Sequence, residues 1–421
     1  MAFTKFAVGL LVIGLIVGGI AGFGASFALQ RPTSTKATTT YTIGVIMPLS
    51  GTLASFGQSF ANSVKLAANE MNANLSAIGN PIRFNVVVAD DGGTPSGALS
   101  ALQSMYQSSS VQIVIGPLTS AEVLGLRDYA DTNHIVILPP AATATSLRIA
   151  GDYILRPGQP GDQFEGSALA QTILGFGEKY VVYIYRGDTS EIGTYNITSS
   201  ILKQHGVNVV GIEYTPAQSD YSNIVASASS DVASYISSGA PRSQIAVVLG
   251  GYGTEAANMF THASSDQYLS SVRWFGIEAL NDNSLLSDAQ VASFMAKVNL
   301  TITAPQTSIS PQGINFAEAY AAAYGSPPEP YSNYAYDNAW IAMLSILVAG
   351  TDNGQTLIKI VPLVADHYFG ASGTGIYLDQ YGDQTIAYYN VEKCVQLNQG
   401  YNFTVIGEYN GGTNQLTLNT K

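Results

Sequence analysis

The chain has 421 residues, with 29 acidic against 17 basic side chains, a net charge of -12 and 46% hydrophobic residues. This acidic balance excludes a nucleic-acid-binding protein that works through a basic surface, and the length predicts two or three domains with sizeable cores. Only 11% of the residues are charged, and Gly, Tyr, Ser, Thr and Asn are abundant instead. This composition indicates an exported surface protein.

The first predicted element is an apolar segment from Phe6 to Ala28, which contains no charged residue and is long enough to cross a bilayer as a helix. Lys5 precedes it, so the positive-inside preference places everything after Arg31 outside the cell. We expect residues 1–30 to be a transmembrane anchor. The alternative is a signal peptide cleaved near Ser26-Phe27-Ala28, which would make the body a secreted protein.

A Thr-rich linker follows at residues 31–40, and the folded body is expected to begin near Tyr41. The chain contains four N-glycosylation sequons, which begin at Asn74, Asn196, Asn299 and Asn402. They predict a glycoprotein if the body is outside the cell, although chance occurrence is an equal alternative in a chain so rich in Ser, Thr and Asn. The single cysteine, Cys394, cannot form an intramolecular disulfide and is expected to be buried as a small hydrophobic residue.

After Tyr41, short apolar runs alternate with helix-length amphipathic segments, which predicts an α/β unit with buried parallel strands. The predicted strands of this unit are Thr42–Met47, Ile82–Ala89, Val111–Ile115, Ile135–Leu138 and Tyr153–Arg156. The predicted helices lie around Phe60–Met71, Gly97–Gln107 and Ala121–Ala130. Helices on both faces of such a sheet give a doubly wound lobe.

The same alternation restarts after Pro157 and predicts a second Rossmann-like lobe of similar size. Its predicted strands are Tyr180–Tyr185, Val207–Ile212, Ile245–Leu249 and Val272–Phe275, and its predicted helices are Phe164–Phe176, Thr194–His205, Tyr221–Ser237 and Thr254–Ala263. Two later helices, Phe316–Tyr324 and Ala335–Val348, and strand-like pieces ending in Tyr401–Glu408 indicate that the chain revisits both lobes. We therefore expect lobe 1 to comprise 41–157 and 304–375, and lobe 2 to comprise 158–303 and 376–421.

Catalytic chemistry has little support. The four histidines are isolated, and the chain has no H-E-x-x-H, C-x-x-C, G-x-S-x-G or P-loop motif. Gly250-Gly251-Tyr252-Gly253 follows a predicted strand but does not match G-x-G-x-x-G. Asp90-Asp91 is better explained as a turn after a strand than as a metal site. We predict a protein that is not an enzyme and uses no metal or cofactor.

The loops that follow the predicted strands are better suited to binding. Thr119 and Glu122 have the spacing of a capping box, so Ser120 lies at a helix start. Such a start can serve only as a cap, or its hydroxyl and free amides can receive a carboxylate. In the other lobe, strand ends place Tyr252 and Glu278 near the same cleft. A carboxylate acceptor facing an unpaired glutamate would suit a zwitterion such as a free α-amino acid.

Six stretches give the chain a resemblance to the type I periplasmic binding proteins, above all the Leu/Ile/Val-binding branch of the substrate-binding subunits of ABC transporters. They are IGVIMPLSGTLASFGQ, ADDGGTP, VIGPLTS, LPPAATAT, LGGYGTE and WFGIEAL. Their order and spacing make the resemblance specific over Tyr41 to about Tyr381. The family fold is two α/β lobes joined by crossing hinge segments, with the ligand in the cleft between them.

The resemblance implies a role for individual residues. Ser120 corresponds to the serine that binds the ligand carboxylate, and Thr143 to the threonine that contacts both ligand ends. Ala141 corresponds to the residue whose carbonyl accepts from the ammonium, Glu278 to the acidic partner of the ammonium, and Tyr252 to an aromatic residue of the second lobe.

Other positions differ from the family pattern. Phe56 lies where the family often has a tyrosine lining the side-chain pocket. A Tyr-Gly pair of the family is replaced by Ile192-Gly193, which removes an aromatic wall. Thr119 stands where some members have a cysteine.

The resemblance implies a monomeric, non-catalytic receptor that closes over a free amino acid, branched-chain or otherwise apolar, and delivers it to an ABC permease. An extracellular sensor module and a glycosylated surface protein of the same fold are the alternatives. An amidase-like enzyme has the least support.

Overall fold

A computed structural model describes residues 37–306, 310–373, 375–385 and 387–419, which fold into two α/β lobes. The predicted anchor, residues 1–30, lies outside the described residues. Within the described part of the chain, no helix has the length and hydropathy needed to cross a bilayer.

The first lobe contains a sheet of four parallel strands in the order β2-β1-β3-β4. Its strands are β1 (Thr39–Met47), β2 (Ile82–Asp90), β3 (Ile113–Ile115) and β4 (Val136–Leu138). Its helices are α1 (Ala54–Ala77), α2 (Pro95–Ser109) and α3 (Ser120–Asn133), joined later in the chain by α10 (Pro311–Tyr324), α11 (Ser332–Ala349) and α12 (Gly354–Ala365).

The second lobe contains an eight-stranded sheet in the order β12-β11-β10-β9-β8-β7-β5-β6. Its strands are β5 (Tyr180–Arg186), β6 (Asn208–Tyr214), β7 (Ile245–Gly250), β8 (Arg273–Ile277), β9 (Thr301–Pro305), β10 (Tyr388–Gln396), β11 (Tyr401–Asn410) and β12 (Gln415–Leu418). Its helices are α4 (Asp162–Phe176), α5 (Thr189–Gln204), α6 (Ser222–Ser237), α7 (Gly253–Ser264), α8 (Asn283–Ser287) and α9 (Ala289–Lys297). The strands from β5 to β9 are parallel, and β10 to β12 extend the sheet in antiparallel fashion.

The inner strands of each sheet are covered on both faces, as the apolar runs predict. In β7, Val247 and Leu249 join one core while Ala246 and Val248 join the core on the opposite face. Because successive side chains of a strand point to opposite faces, a strand buried on both faces is a continuous apolar run. Cys394 is a free, buried cysteine in the first of these two cores, as expected from the sequence.

The predicted strand Tyr153–Arg156 is wrong. This segment makes only isolated bridges, between Ile137 and Ile154 and between Arg156 and Asp383. It belongs to a connection between the lobes, where the backbone of Arg156 pairs with Gly382 and Gln384 instead of with a sheet. The short apolar run of a buried connection cannot be distinguished by its sequence from the apolar run of a short buried strand.

Asp383 holds two arginines at this connection. One carboxylate oxygen lies 2.6 Å from Nε of Arg156 and the other 2.8 Å from Nη1 of Arg148. The side chains of Asp383 and Arg156 are each 3% exposed, so water cannot replace either partner.

Asp383→Ala should therefore lower the free energy of unfolding by about 3–5 kcal/mol, because it leaves a buried arginine without its charge partner. Denaturation by guanidinium would measure this loss. Asp128→Ala is the matched control, since Asp128 pairs with Arg127 while 88% exposed and should cost about 0.5 kcal/mol or less. Equal losses in the two variants would contradict the assignment.

Candidate functional site

A cavity of about 510 Å³ lies between the two lobes. Most of its lining comes from loops that follow the carboxyl ends of parallel strands, from Ser50 after β1 to Ala279 after β8. Ligands of open α/β sheets bind at this edge, because the loops there converge and helices begin there. Gln159 and Tyr331, which are outside these loops, complete the wall.

The structure brings all six predicted ligand-binding residues to this one cavity. They are Phe56, Ser120, Ala141 and Thr143 from lobe 1, and Tyr252 and Glu278 from lobe 2. Ile192 is 36% exposed and is not among the residues that line the cavity. The ligand contacts assigned to the six residues remain predictions.

The lobe 1 wall is formed by the start of α3. Thr119 caps this helix, because its hydroxyl accepts from the Glu122 amide and the Glu122 carboxylate accepts from the Thr119 amide at 2.7 Å. Ser120 and Ala121, in the first turn, line the cavity. The Ser120 hydroxyl accepts from the Ala144 amide at 3.0 Å, which fixes its position against the loop after β4. A helix start with free amides favours a negatively charged group.

Apolar side chains line another part of the lobe 1 wall. Phe56 packs edge-on against Phe60 with ring centroids 6.3 Å apart, and Leu53 and Leu118 complete this part of the lining. A side chain placed here would be removed from water against hydrocarbon.

Thr143 joins the two lobes through a hydroxyl chain. Its Oγ1 lies 3.1 Å from Oγ of Ser190, and Ser190 donates to Asp162 at 2.9 Å. Since the single proton of Ser190 goes to Asp162, Thr143 donates to Ser190. Burial raises the pKa of Asp162 to about 7, although the hydrogen bond from Ser190 lowers it.

Glu278 begins the single 3-10 turn Glu278–Leu280 that follows β8. Its Oε1 accepts from Nε2 of Gln159 at 2.7 Å. Its Oε2 is buried and has no hydrogen-bond partner within the described ranges. The backbone of the same residue is fixed, because its amide donates to Oε1 of Glu165 at 3.3 Å. Glu278 therefore contributes a buried carboxylate to the cavity lining, with the carboxyl group of Glu165 beside it.

Lobe 2 contributes further lining residues that the sequence analysis did not single out, and four of them have side chains that bear on the electrostatics of the site. They are Gln159, Arg186, Asp188 and Glu191. Arg186 binds Glu255 through Nε at 2.9 Å, forms an ion pair with Asp188, and lies over the Tyr252 ring at 5.0 Å from its centroid. Their position could have indicated them, because Arg186 ends β5 and Asp188 and Glu191 follow it, just as Tyr252 follows β7.

Metal binding gains no support from the side chains. Over the residues that the structure describes, no cluster of three or more His, Cys, Asp or Glu is arranged to hold an ion. The carboxylates of the cavity wall have different partners, because Asp188 pairs with Arg186, Glu191 accepts from Tyr252 and Glu278 accepts from Gln159.

Comparison with known proteins identifies the fold and its relatives. The sequence profile of the family described as periplasmic binding protein matches residues 40–381. An uncharacterized protein of Methanocaldococcus jannaschii is 24% identical over 311 residues, which cover 72% of each chain. The Leu/Ile/Val-binding protein BraC3 of Rhizobium johnstonii is 28% identical over 183 residues, or 43% of this chain and 49% of BraC3.

A solved structure with the same fold is that of the branched-chain amino acid transporter substrate binding protein LivJ from Streptococcus pneumoniae, in complex with isoleucine. Its TM-score is 0.71 at 20% identity, covering 87% of this chain and all of LivJ. The resemblance inferred from the sequence motifs is thereby confirmed, as is the interpretation as a solute-binding protein and not an enzyme.

Proposed function

Because the chain belongs to the periplasmic binding protein family, we propose that it is the solute-binding component of an ABC transporter and captures a free α-amino acid, branched-chain or otherwise apolar. The observation that carries this proposal is the polarity of the cavity. One wall presents the start of α3, and the opposite wall presents the carboxylate of Glu278.

The ligand carboxylate is placed at the start of α3. Ser120 donates its hydroxyl proton there, since its oxygen already accepts from the Ala144 amide. The free amides of the first helical turn add further donors and a favourable dipole.

The ligand ammonium is placed between Glu278, the carbonyl of Ala141 and the hydroxyl of Thr143. A charge-assisted hydrogen bond to a carboxylate is roughly twice as strong as a neutral one. Tyr252 covers this end from lobe 2 and limits access by water. The apolar side chain is placed against Phe56, Leu53 and Leu118, where its burial is favourable.

Closure of the lobes follows from the division of these contacts. The carboxylate is bound mainly by lobe 1 and the ammonium mainly by lobe 2, so a state with the lobes together makes contacts that an open state lacks. A ligand shifts such an equilibrium by the difference in its affinity for the two states. The Thr143–Ser190–Asp162 chain would form in the closed state, because it joins the same two walls.

The proposed partner is the permease of an ABC transporter, which would receive the amino acid from a monomeric receptor outside the membrane. All four sequon asparagines, Asn74, Asn196, Asn299 and Asn402, are exposed, as glycosylation would require. A permease and an ATPase encoded beside this chain would support the transporter over a sensor or surface protein.

The experiment that tests the ligand class is calorimetric titration with each of the twenty proteinogenic amino acids. We expect micromolar or tighter binding of L-leucine, L-isoleucine or L-valine. D-Leucine is the matched control, because it carries the same groups but cannot place its carboxylate, ammonium and side chain on the three assigned walls together. Absence of binding by every amino acid would refute the proposed function.

A further inference from the structure

Glu191 is a second carboxylate in the lobe 2 wall of the cavity. It lies in the first turn of α5, lines the cavity and is 2% exposed. Its Oε1 accepts from the Tyr252 hydroxyl at 3.2 Å, while its Oε2 has no hydrogen-bond partner in the described part of the chain. A Cβ on Gly250 would overlap Oε2, so the missing side chain at that position makes room for the carboxylate.

The acidic groups around Glu191 outnumber the basic side chains of the cavity lining. Arg186 is the one basic residue among the described residues that line the cavity, and Glu255 and Asp188 already engage it. The ionisable groups that interact with Glu191 include Asp188 at the N-cap of its helix, Tyr183 on β5, Asp162 and Glu165 on α4, Tyr214 at the end of β6, Tyr252 after β7 and Glu278 after β8. None of these groups is a cation.

We propose that Glu191 and Glu278 together hold the ammonium of the ligand, and that Glu191 gives its proton to the solvent when the ammonium enters. This inference rests on the proposed function, because it requires an amino-acid ligand. No covalent bond to the ligand forms or breaks. The carboxyl O–H of Glu191 dissociates, the proton goes to the buffer, and the resulting carboxylate faces the ammonium.

The state of Glu191 without ligand follows from its surroundings. Burial, with the nearby carboxylates of Asp188, Glu278 and Asp162, raises the pKa of Glu191 well above its usual range. This environment favours the protonated form of Glu191 while no cation lies beside it. The ammonium supplies this cation and reverses the preference.

Calorimetry of wild type with L-leucine near neutral pH, in phosphate and in Tris buffer, measures the exchanged proton, because the two buffers differ in protonation enthalpy. We expect release of about one proton per ligand bound. In Glu191→Gln the release should disappear and the affinity should fall by about 10–100-fold, the value of a hydrogen bond to a charged group. Glutamine keeps the shape and can still accept from Tyr252, so the fold should persist.

Two controls separate a binding role from a structural one. Glu178→Gln replaces a glutamate that is 2% exposed in the same lobe but does not line the cavity, and it should leave affinity and proton release unchanged. The hydroxy acid 2-hydroxy-4-methylpentanoate lacks the ammonium, so Glu191→Gln should change its affinity less than about twofold.

The possible results distinguish the role of Glu191 from the proposed function. Binding of L-leucine without proton release, or with equal affinity in wild type and Glu191→Gln, would overturn the role of Glu191 and leave the proposed function standing. Failure of wild type to bind any amino acid would overturn both.

Discussion

Glu278→Ala is expected to weaken amino-acid binding about 100-fold or more, in line with the loss of one partner of a desolvated charge pair. The carboxylate of Glu278 has one oxygen occupied by Gln159 and the other without a partner among the described residues. A bound ammonium would use that second oxygen. After truncation to alanine, the cation would be buried opposite a gap, and its lost hydration would not be replaced.

Calorimetry with the best amino acid of the panel measures this effect, and a thermal melt verifies the fold. The fold should survive, because Glu278 supports the lobe mainly through its backbone amide and carbonyl. Glu408→Ala is the matched control, since Glu408 is an exposed glutamate on β11 far from the cavity lining. Unchanged affinity in a folded Glu278→Ala protein would contradict the assignment of the ammonium end.

The second large effect concerns stability and pH. The protein should become more stable as the pH falls from about 8 to about 5, by on the order of 5 kcal/mol in the free energy of unfolding. Burial raises the pKa of Asp91 to about 6 and the pKa values of Glu122, Asp162 and Glu178 to about 7. The same cause raises the pKa of Glu165 well above its usual range.

The sign follows from proton binding in the two states. An unfolded chain releases the protons of Asp and Glu near pH 4. The native state keeps the protons of Asp91, Glu122, Asp162 and Glu178 up to about pH 6–7. Between these values the native state binds more protons than the unfolded state, so the free energy of unfolding falls as the pH rises. The stabilisation is complete below the unfolded pKa values and is lost as the pH passes the native values.

Thermal melts from pH 8 to pH 5 at constant ionic strength would measure this dependence. The matched variant is Glu122→Gln, because glutamine preserves the capping box with Thr119 but does not titrate. Its melting temperature should depend less on pH than that of wild type, with the largest gain near pH 8. A wild-type stability maximum at pH 7.5 or above would contradict the prediction.

The parallel strands of both lobes could be predicted because burial on two faces requires continuous apolar runs. β5 and β7 are such runs, and each lies within a residue of its predicted bounds. Less regular elements were missed. β9 carries Thr301 and Thr303 in a buried strand, and β12 is a short edge strand, so neither presents a clear pattern.

The candidate site could be located because it lies where strands end. Ser120, Tyr252 and Glu278 each follow a predicted strand, and parallel strands bring such positions to one edge. The sequence motifs added Phe56, Ala141 and Thr143. Nothing in the local sequence distinguished Glu191 from an ordinary polar residue in the first turn of a helix.

The sequence by itself determined the family, the alternation of strands and helices, and the set of loops that form the cavity. These properties depend on local apolar patterns and on short stretches of residues. Only the tertiary structure decided how the acidic groups are paired. Gln159 donates to Glu278, which lies 119 residues away in the chain. Tyr252 donates to Glu191, which lies 61 residues away. The charge that each carboxylate carries depends on such distant partners and on burial, which no local pattern encodes.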